Sequence, residues 1–224
     1  MSFHDLIISD IKTRIFRPDT SFDTVIYIPV SNTEDIDAIV ESFDSTAFSA
    51  VAVECSSWND MLTPWKAPAA FSNGDSFGGK ADLFLVKLKN DIIPEAEALT
   101  GTPDFRGIAG YSLAGLFALY AFYTTDLFDL CGCVSGSVWY DGFEDWALER
   151  FPVSASGSIF FSLGNKEEKT RNQKMQHTGQ IMRNICEKLN ETDSYDASFR
   201  YTRGNHFEGH TQRMNECLSW LLGL

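Results

Sequence analysis

Gly107-Ile108-Ala109-Gly110-Tyr111-Ser112-Leu113-Ala114-Gly115-Leu116-Phe117-Ala118-Leu119-Tyr120 is the stretch that decides the fold. Residues 105–109 read as a strand, and residues 113–123 as a helix that is apolar nearly all round and so belongs in the interior. A serine stands between them. Gly110 lies two residues before it and Ala114 two after it, the very small side chains that a sharp strand-to-helix turn demands where the chain crowds against itself. Such a turn, a nucleophile elbow, lifts the serine Oγ to the C-terminal edge of the strand. It also aims the backbone N–H of Leu113, at the helix N-terminus, at an oxyanion formed there. A chance turn of small residues would look the same in isolation; the strand before and the buried helix after give Gly-x-Ser-x-Ala its meaning.

Outward from the elbow, apolar β-branched or aromatic runs alternate with helix-period segments, without internal repeats, low-complexity tracts or a Gly/Ser linker. That alternation predicts an α/β fold. Residues 5–9 and 12–17 are short, half-polar and close together, as in an antiparallel pair at one sheet edge. Residues 24–28 form a nearly continuous apolar run, the mark of a strand buried on both faces. Ser31 and Glu34 are spaced as a capping box for a helix over 33–42, and residues 50–54 make the next strand. Ala81, Phe84, Leu85, Leu88 and Ile92 share a helical stripe that starts just past Gly78-Gly79 and that Pro94 should kink or end. Beyond the elbow, strands are expected at 130–134, 158–163 and 197–201. Between the last two lies a long helix striped by Met175, Thr178, Met182, Ile185 and Leu189, and a final helix presents Met214, Cys217, Leu218, Leu221 and Leu222. The count is about eight strands in a single domain over 1–224. Residues 135–158 have room for about one short helix, carrying Trp139, Phe143 and Trp146, and none for a lid domain.

Composition narrows the function classes. With 224 residues, 44% of them hydrophobic, the chain fills one core and not two. Its 31 acidic against 18 basic residues give a net charge of −13, which repels phosphate backbones and anionic headgroups, so neither nucleic acid nor a membrane surface is an expected partner. The N-terminus lacks a signal-peptide pattern and no stretch has the roughly 20 apolar residues of a membrane span, so a cytoplasmic location is expected. Five scattered cysteines, an odd number, read as reduced and mostly buried thiols.

A nucleophilic serine needs a base, and the base an orienting carboxylate. Of the four histidines, His4 and His177 fall on surface positions. His206, in the loop after the last strand, can reach over the sheet edge to Ser112; His210 is the less favoured alternative. Gly164-Asn165-Lys166-Glu167-Glu168 follows the strand 158–163, giving the chain order serine, acid, histidine that belongs to α/β-hydrolases. Either glutamate fits that order, and both would also look ordinary in a solvated charge run. Other patterns carry less. His206-Phe207-Glu208-Gly209-His210 lacks the His-Glu-x-x-His order and the continuous helix of a zinc protease, and no third ligand is evident. No metal or organic cofactor is expected. Cys131-Gly132-Cys133 reads as core packing, and Phe77-Gly78-Gly79-Lys80 as a helix start.

The sequence resembles the putative-esterase branch of the α/β-hydrolases, which includes esterase D-like enzymes and siderophore esterases. The likeness runs from about Tyr27 to the C-terminus. It rests on residues 108–120 of the elbow, on Val134-Ser135-Gly136-Ser137-Val138-Trp139, on Ser162-Leu163-Gly164-Asn165-Lys166-Glu167 and on Gly204-Asn205-His206-Phe207. The resemblance implies an α/β-hydrolase fold with a mostly parallel sheet and a serine carboxylesterase with the triad Ser112, His206 and Glu167, the acid standing three residues after the glycine that ends its strand. It also locates a departure. Where the family carries a His-Gly, Asp-Gly or Ser-Gly turn that donates the second oxyanion N–H, this chain reads Pro29-Val30-Ser31-Asn32; proline cannot donate, so Ser31 or Asn32 is the expected donor beside Leu113. An open cleft rimmed by Trp58, Trp65 and Trp139, with Tyr111 in its wall, is expected to take a small-molecule ester. These tryptophans would equally serve to cover core. Siderophore, carbohydrate and simple short-chain esters remain open, as does oligomeric state. An acyltransferase using the same triad and a non-catalytic binding module on the same fold are the alternatives.

Overall fold

The computed structural model describes residues 2–19, 22–43 and 48–224, and the chain divides into two compact units, 1–107 and 108–224. The eight strands of its main sheet lie in the order 2–8, 11–17, 48–54, 24–30, 105–111, 130–134, 157–164 and 195–202, mostly parallel and flanked by helices, the topology of an α/β-hydrolase without a large inserted lid among the described residues.

In the first unit, β1 (Ser2–Ile8) and β2 (Ile11–Arg17) form the expected antiparallel pair. Their turn places Ser9 and Asp10 at positive φ. β3 (Thr24–Val30) is buried at every position and pairs in parallel with β4 (Phe48–Glu54), as its unbroken apolar run requires. The helix expected over 33–42 is shorter, α1 (Asp35–Val40), and no Ser31–Glu34 box caps it. Asn32 Oδ1 instead takes the Glu34 N–H at 3.2 Å, an Asx turn that competes successfully for the role. After α2 (Trp58–Met61) comes a two-strand ribbon, β5 (Lys66–Ala67) with β6 (Phe77–Gly78). The glycine pair thus ends a strand before it precedes α3 (Ala81–Lys87).

The helical stripe does not run on as a regular α-helix up to Pro94. A single π turn at Leu88–Ile92 follows α3 and leads without a break into α4 (Ile93–Thr100), whose first turn holds Pro94; the regular hydrogen-bond pattern is thus disturbed in the turn directly before the proline. β7 (Phe105–Tyr111) then runs across the boundary between the units.

In the second unit, α5 (Leu113–Thr124) is buried at every residue except Thr124, as its all-round apolar character predicts. β8 (Leu130–Val134), β9 (Gly157–Gly164) and β10 (Tyr195–Thr202) pair in parallel. α6 (Phe143–Leu148) is the single short helix between β8 and β9, and α7 (Thr178–Leu189) connects β9 to β10. The last helix, α8 (His210–Leu221), packs on β8 and β9. Its Cys217 Sγ would lie 2.5 Å from a Cβ at Gly132, so the glycine of Cys131-Gly132-Cys133 admits the helix. All five cysteines are free and buried. No helix among the described residues is long and apolar enough to cross a membrane.

Candidate active site

The elbow is strained where a reactive serine would need it. Ser112 holds φ 62° and ψ −122°, a conformation that a non-glycine residue keeps only when its surroundings over-determine it. They do so here: its N–H donates to Val134 O at 3.0 Å, and its carbonyl accepts from Leu116 N–H at 3.1 Å and Ser137 N–H at 3.0 Å. A Cβ at Gly110 would stand 2.3 Å from the backbone carbonyl of Ala114, which is why the turn tolerates only glycine there. Leu113 opens α5 directly after Ser112, so its N–H has no acceptor within the helix.

Two loops meet over this turn because β9 and β10 end in register, Gly164 opposite Thr202. Beyond the register, Asn165 N–H donates to Thr202 O at 2.9 Å and Lys166 N–H to Gly204 O at 3.0 Å. The zipper brings Glu167, in the turn after β9, against His206, in the loop after β10. His206 Nδ1 lies 2.8 Å from Glu167 Oε2 and Nε2 lies 3.1 Å from Ser112 Oγ. An ionised carboxylate only accepts, so Nδ1 carries the proton and Nε2 is free to accept from the serine hydroxyl. Both imidazole nitrogens are thereby engaged. Among the described residues no cluster of three or more His, Cys, Asp or Glu could hold a metal ion.

Glu167 Oε1 collects the remaining donors: Gly164 N–H and Ser135 Oγ–H, each at 2.8 Å, and Arg213 Nη1 at 2.6 Å. Burial pushes this carboxyl's pKa up, but hydrogen bonds from His206, Ser135 and the Gly164 N–H outweigh it and hold the group below its ordinary value. Its neighbour Glu168 points elsewhere. It accepts from Gly179 N–H at 2.9 Å and from the Tyr201 hydroxyl at 2.8 Å, tying the start of α7 to β10. The geometry therefore separates two glutamates that the sequence left side by side.

Sequence reasoning missed Arg213 and Ser135. Arg213 is 1% exposed, and its Nη1 also reaches Ser135 Oγ at 2.8 Å and the Tyr111 hydroxyl at 3.0 Å. Nη2 donates to the carbonyls of Asn205 at 2.8 Å and Arg203 at 3.3 Å, while Nε is buried without a hydrogen-bond partner. A signal existed: Arg213 stands four residues before Cys217 and eight before Leu221, a charge on the apolar stripe of α8. Ser135 sits at φ 45° directly after β8. Tyr111, expected in a pocket wall, is half-buried and donates its hydroxyl to His206 O at 2.7 Å. Burial raises its pKa, offset in part by Ser135 and Arg213, so it stays a neutral donor. His210 stacks edge-on against it, ring centroids 4.4 Å apart. Trp139 is half-buried in the turn after β8. Ser31, exposed after β3, and Trp58, half-buried in α2, belong to the first unit; all the contacts given above fall in the second.

The chain resembles known proteins in sequence and, more widely, in fold. A Bacillus subtilis (strain 168) protein, "Uncharacterized protein YbbA", is 27% identical over 185 residues, 77% of this chain and 72% of its own. Among solved structures, an IroE-like serine hydrolase from Shewanella oneidensis superposes with TM-score 0.80 at 15% identity, covering 97% of this chain and 79% of that one. The siderophore hydrolase EstB from Aspergillus nidulans does so with TM-score 0.72 at 18% identity, covering 98% and 94%; at such identities the likeness is one of fold. The family described as "Putative esterase" matches residues 19–220, nearly the whole chain, which therefore belongs to that esterase family of the α/β-hydrolase superfamily.

Proposed function

We propose that this α/β-hydrolase is a serine carboxylesterase working through an acyl-enzyme, with Ser112 as nucleophile, His206 as general base and acid, and Glu167 as the carboxylate that orients it. The observation that carries the reading is the unbroken chain from Glu167 Oε2 through both nitrogens of His206 to Ser112 Oγ, at 2.8 and 3.1 Å. As Oγ attacks an ester carbonyl, Nε2 takes its proton, and Glu167 stabilises the imidazolium without itself becoming protonated. The Leu113 N–H, at the positive end of α5, stabilises the oxyanion. Collapse of the tetrahedral intermediate returns the proton from Nε2 to the leaving alcohol. Water then enters by the same route in reverse and releases the acid.

A binding module that merely kept the fold has no use for a serine held at positive φ against an oriented imidazole, and the site geometry favours the enzyme. The test is turnover of a graded ester panel, from p-nitrophenyl acetate and butyrate to an ester-linked siderophore, the last included because structural neighbours are named siderophore hydrolases. Wild-type turnover that disappears in Ser112→Ala, with the far-UV spectrum unchanged, is the expected result. Retained turnover in that variant would sink the assignment. Added alcohols that divert product from acid to new ester would make the chain an acyltransferase instead.

A further inference from the structure

We infer that Arg213 is a positioning residue that clamps the acid and the base of the site together, holding Glu167 with one guanidinium nitrogen and the His206 loop with the other. The inference rests on the triad reading above. Nη1 donates toward Glu167 Oε1, Ser135 Oγ and the Tyr111 hydroxyl, while Nη2 donates to the carbonyls of Asn205 and Arg203. Tyr111 closes the ring by donating to the carbonyl of His206 itself. A planar fork with fixed donor directions can hold such a set, whereas a lysine ammonium cannot.

The backbone is shaped around this group. A Cβ at Gly164 would lie 2.5 Å from Arg213 Nη2 and 2.8 Å from Glu167 Oε1. At Gly204, which sits at φ +113°, a Cβ would lie 3.2 Å from the same nitrogen. Glycines thus end β9 and open the His206 loop at the two places where the guanidinium passes. His206 is itself on a loop of exposed neighbours, Arg203, Phe207 and Glu208, and needs an anchor from outside that loop. Arg213 supplies it from a helix.

The clamp also sets charge. With Arg213 present, the Glu167 carboxylate is shared between a permanent cation and the imidazole; without it, the whole negative charge faces the imidazole. The other charged or titratable groups around the pair on this unit are Lys166 and Glu168 beside Glu167, Arg203 and Glu208 in the His206 loop, and His210 against Tyr111. The variants below keep all five.

The experiment follows the second-order rate at which a fluorophosphonate labels Ser112 across pH, per folded molecule, in wild type, Arg213→Met, Arg213→Lys, Tyr111→Phe and Ser135→Ala. Arg213→Met is expected to label about 100-fold more slowly, the scale of a misplaced catalytic group, with its acid limb moved to higher pH. Arg213→Lys should recover the position of the limb but only part of the rate. Tyr111→Phe and Ser135→Ala, which each delete one partner of the same nitrogen, should slow labelling by about tenfold, and they carry the test if Arg213→Met does not fold. Labelling of all variants at the wild-type rate with an unmoved acid limb, even with lowered melting temperature, would reduce Arg213 to a structural residue and overturn the inference while leaving the triad reading intact. Absence of labelling in wild type would remove both.

Discussion

Arginines grip carboxylates in both units, and two of these grips are built differently. In the first unit Arg14, its side chain 17% exposed, holds two more open carboxylates, with Nε and Nη2 on Asp37 at 2.9 Å each and Nη1 on both oxygens of Asp5 at 2.8 Å. The Asp5 side chain is 67% exposed and that of Asp37 32%. Water and salt compete for every one of these bonds, and such pairs contribute little to stability. In the second unit the Arg213 and Glu167 side chains are 2% and 8% exposed. Here desolvation costs several kcal/mol per ion and must be offset by near-complete hydrogen bonding. The lesson is that the surface pair needs no particular neighbours, whereas the buried pair dictates what stands around it: Gly164, Ser135, Tyr111 and the carbonyls of the His206 loop.

Four substitutions, with Glu168→Gln as the control for the first, break or sharpen that contrast in descending order of effect. Glu167→Gln removes the acceptor that fixes the His206 tautomer and should lower kcat about 10⁴-fold. Glu168→Gln, one residue on but facing Gly179 and Tyr201, should leave kcat within a few-fold of wild type; equal losses in the two would contradict the assignment of the acid. Arg213→Met leaves Glu167 buried without its cation and should cost about 3–5 kcal/mol in urea unfolding; a loss below about 1 kcal/mol would place this pair with the surface ones. Gly164→Ala drives a Cβ into Gly204 O at 2.6 Å as well as into the arginine, and should cost about 1–3 kcal/mol together with part of the activity. Asp37→Asn should cost only about 0.5 kcal/mol, fading as salt is raised.

The same contrast has a pH signature. Because the pKa of Glu167 is held below its ordinary value in the folded chain, its ionised form stabilises the fold at neutral pH. That contribution is full above the ordinary carboxylate range and is lost as pH falls through the lowered folded value. Unfolding measured from neutral to acidic pH should therefore show a stability loss in wild type that is reduced in Glu167→Gln. Identical pH profiles would remove the carboxylate from this role.

Local chemistry explains what was legible in the sequence. Gly110, Ser112 and Ala114 announce the elbow because the crowding they relieve lies within the same few residues. The strands at 130–134 and 158–163 stand out because burial on both faces leaves unbroken apolar runs. His206 emerged because few histidines competed with it. Pro94 marked a disturbance in the helix but not its form, a π turn at Leu88–Ile92 between α3 and α4. The Ser31–Glu34 spacing misled, because Asn32 offered a closer acceptor. Family resemblance favoured Glu167 over Glu168, but nothing in their shared local sequence separates them. Their orientations are set by Ser135, Arg213, Gly179 and Tyr201, partners at 11 to 46 positions along the chain. Arg213 escaped notice for a related reason: an apolar stripe is found by counting apolar residues, and the informative member of this one is charged.

The most direct test of the central claim is intact-protein mass spectrometry after exposure to a fluorophosphonate, with Ser112→Ala and His206→Ala alongside. A single adduct that peptide mapping places on Ser112, absent from both variants, is the predicted result. An unmodified wild-type chain under conditions that label a known serine esterase, or an adduct that persists in Ser112→Ala, would contradict the account.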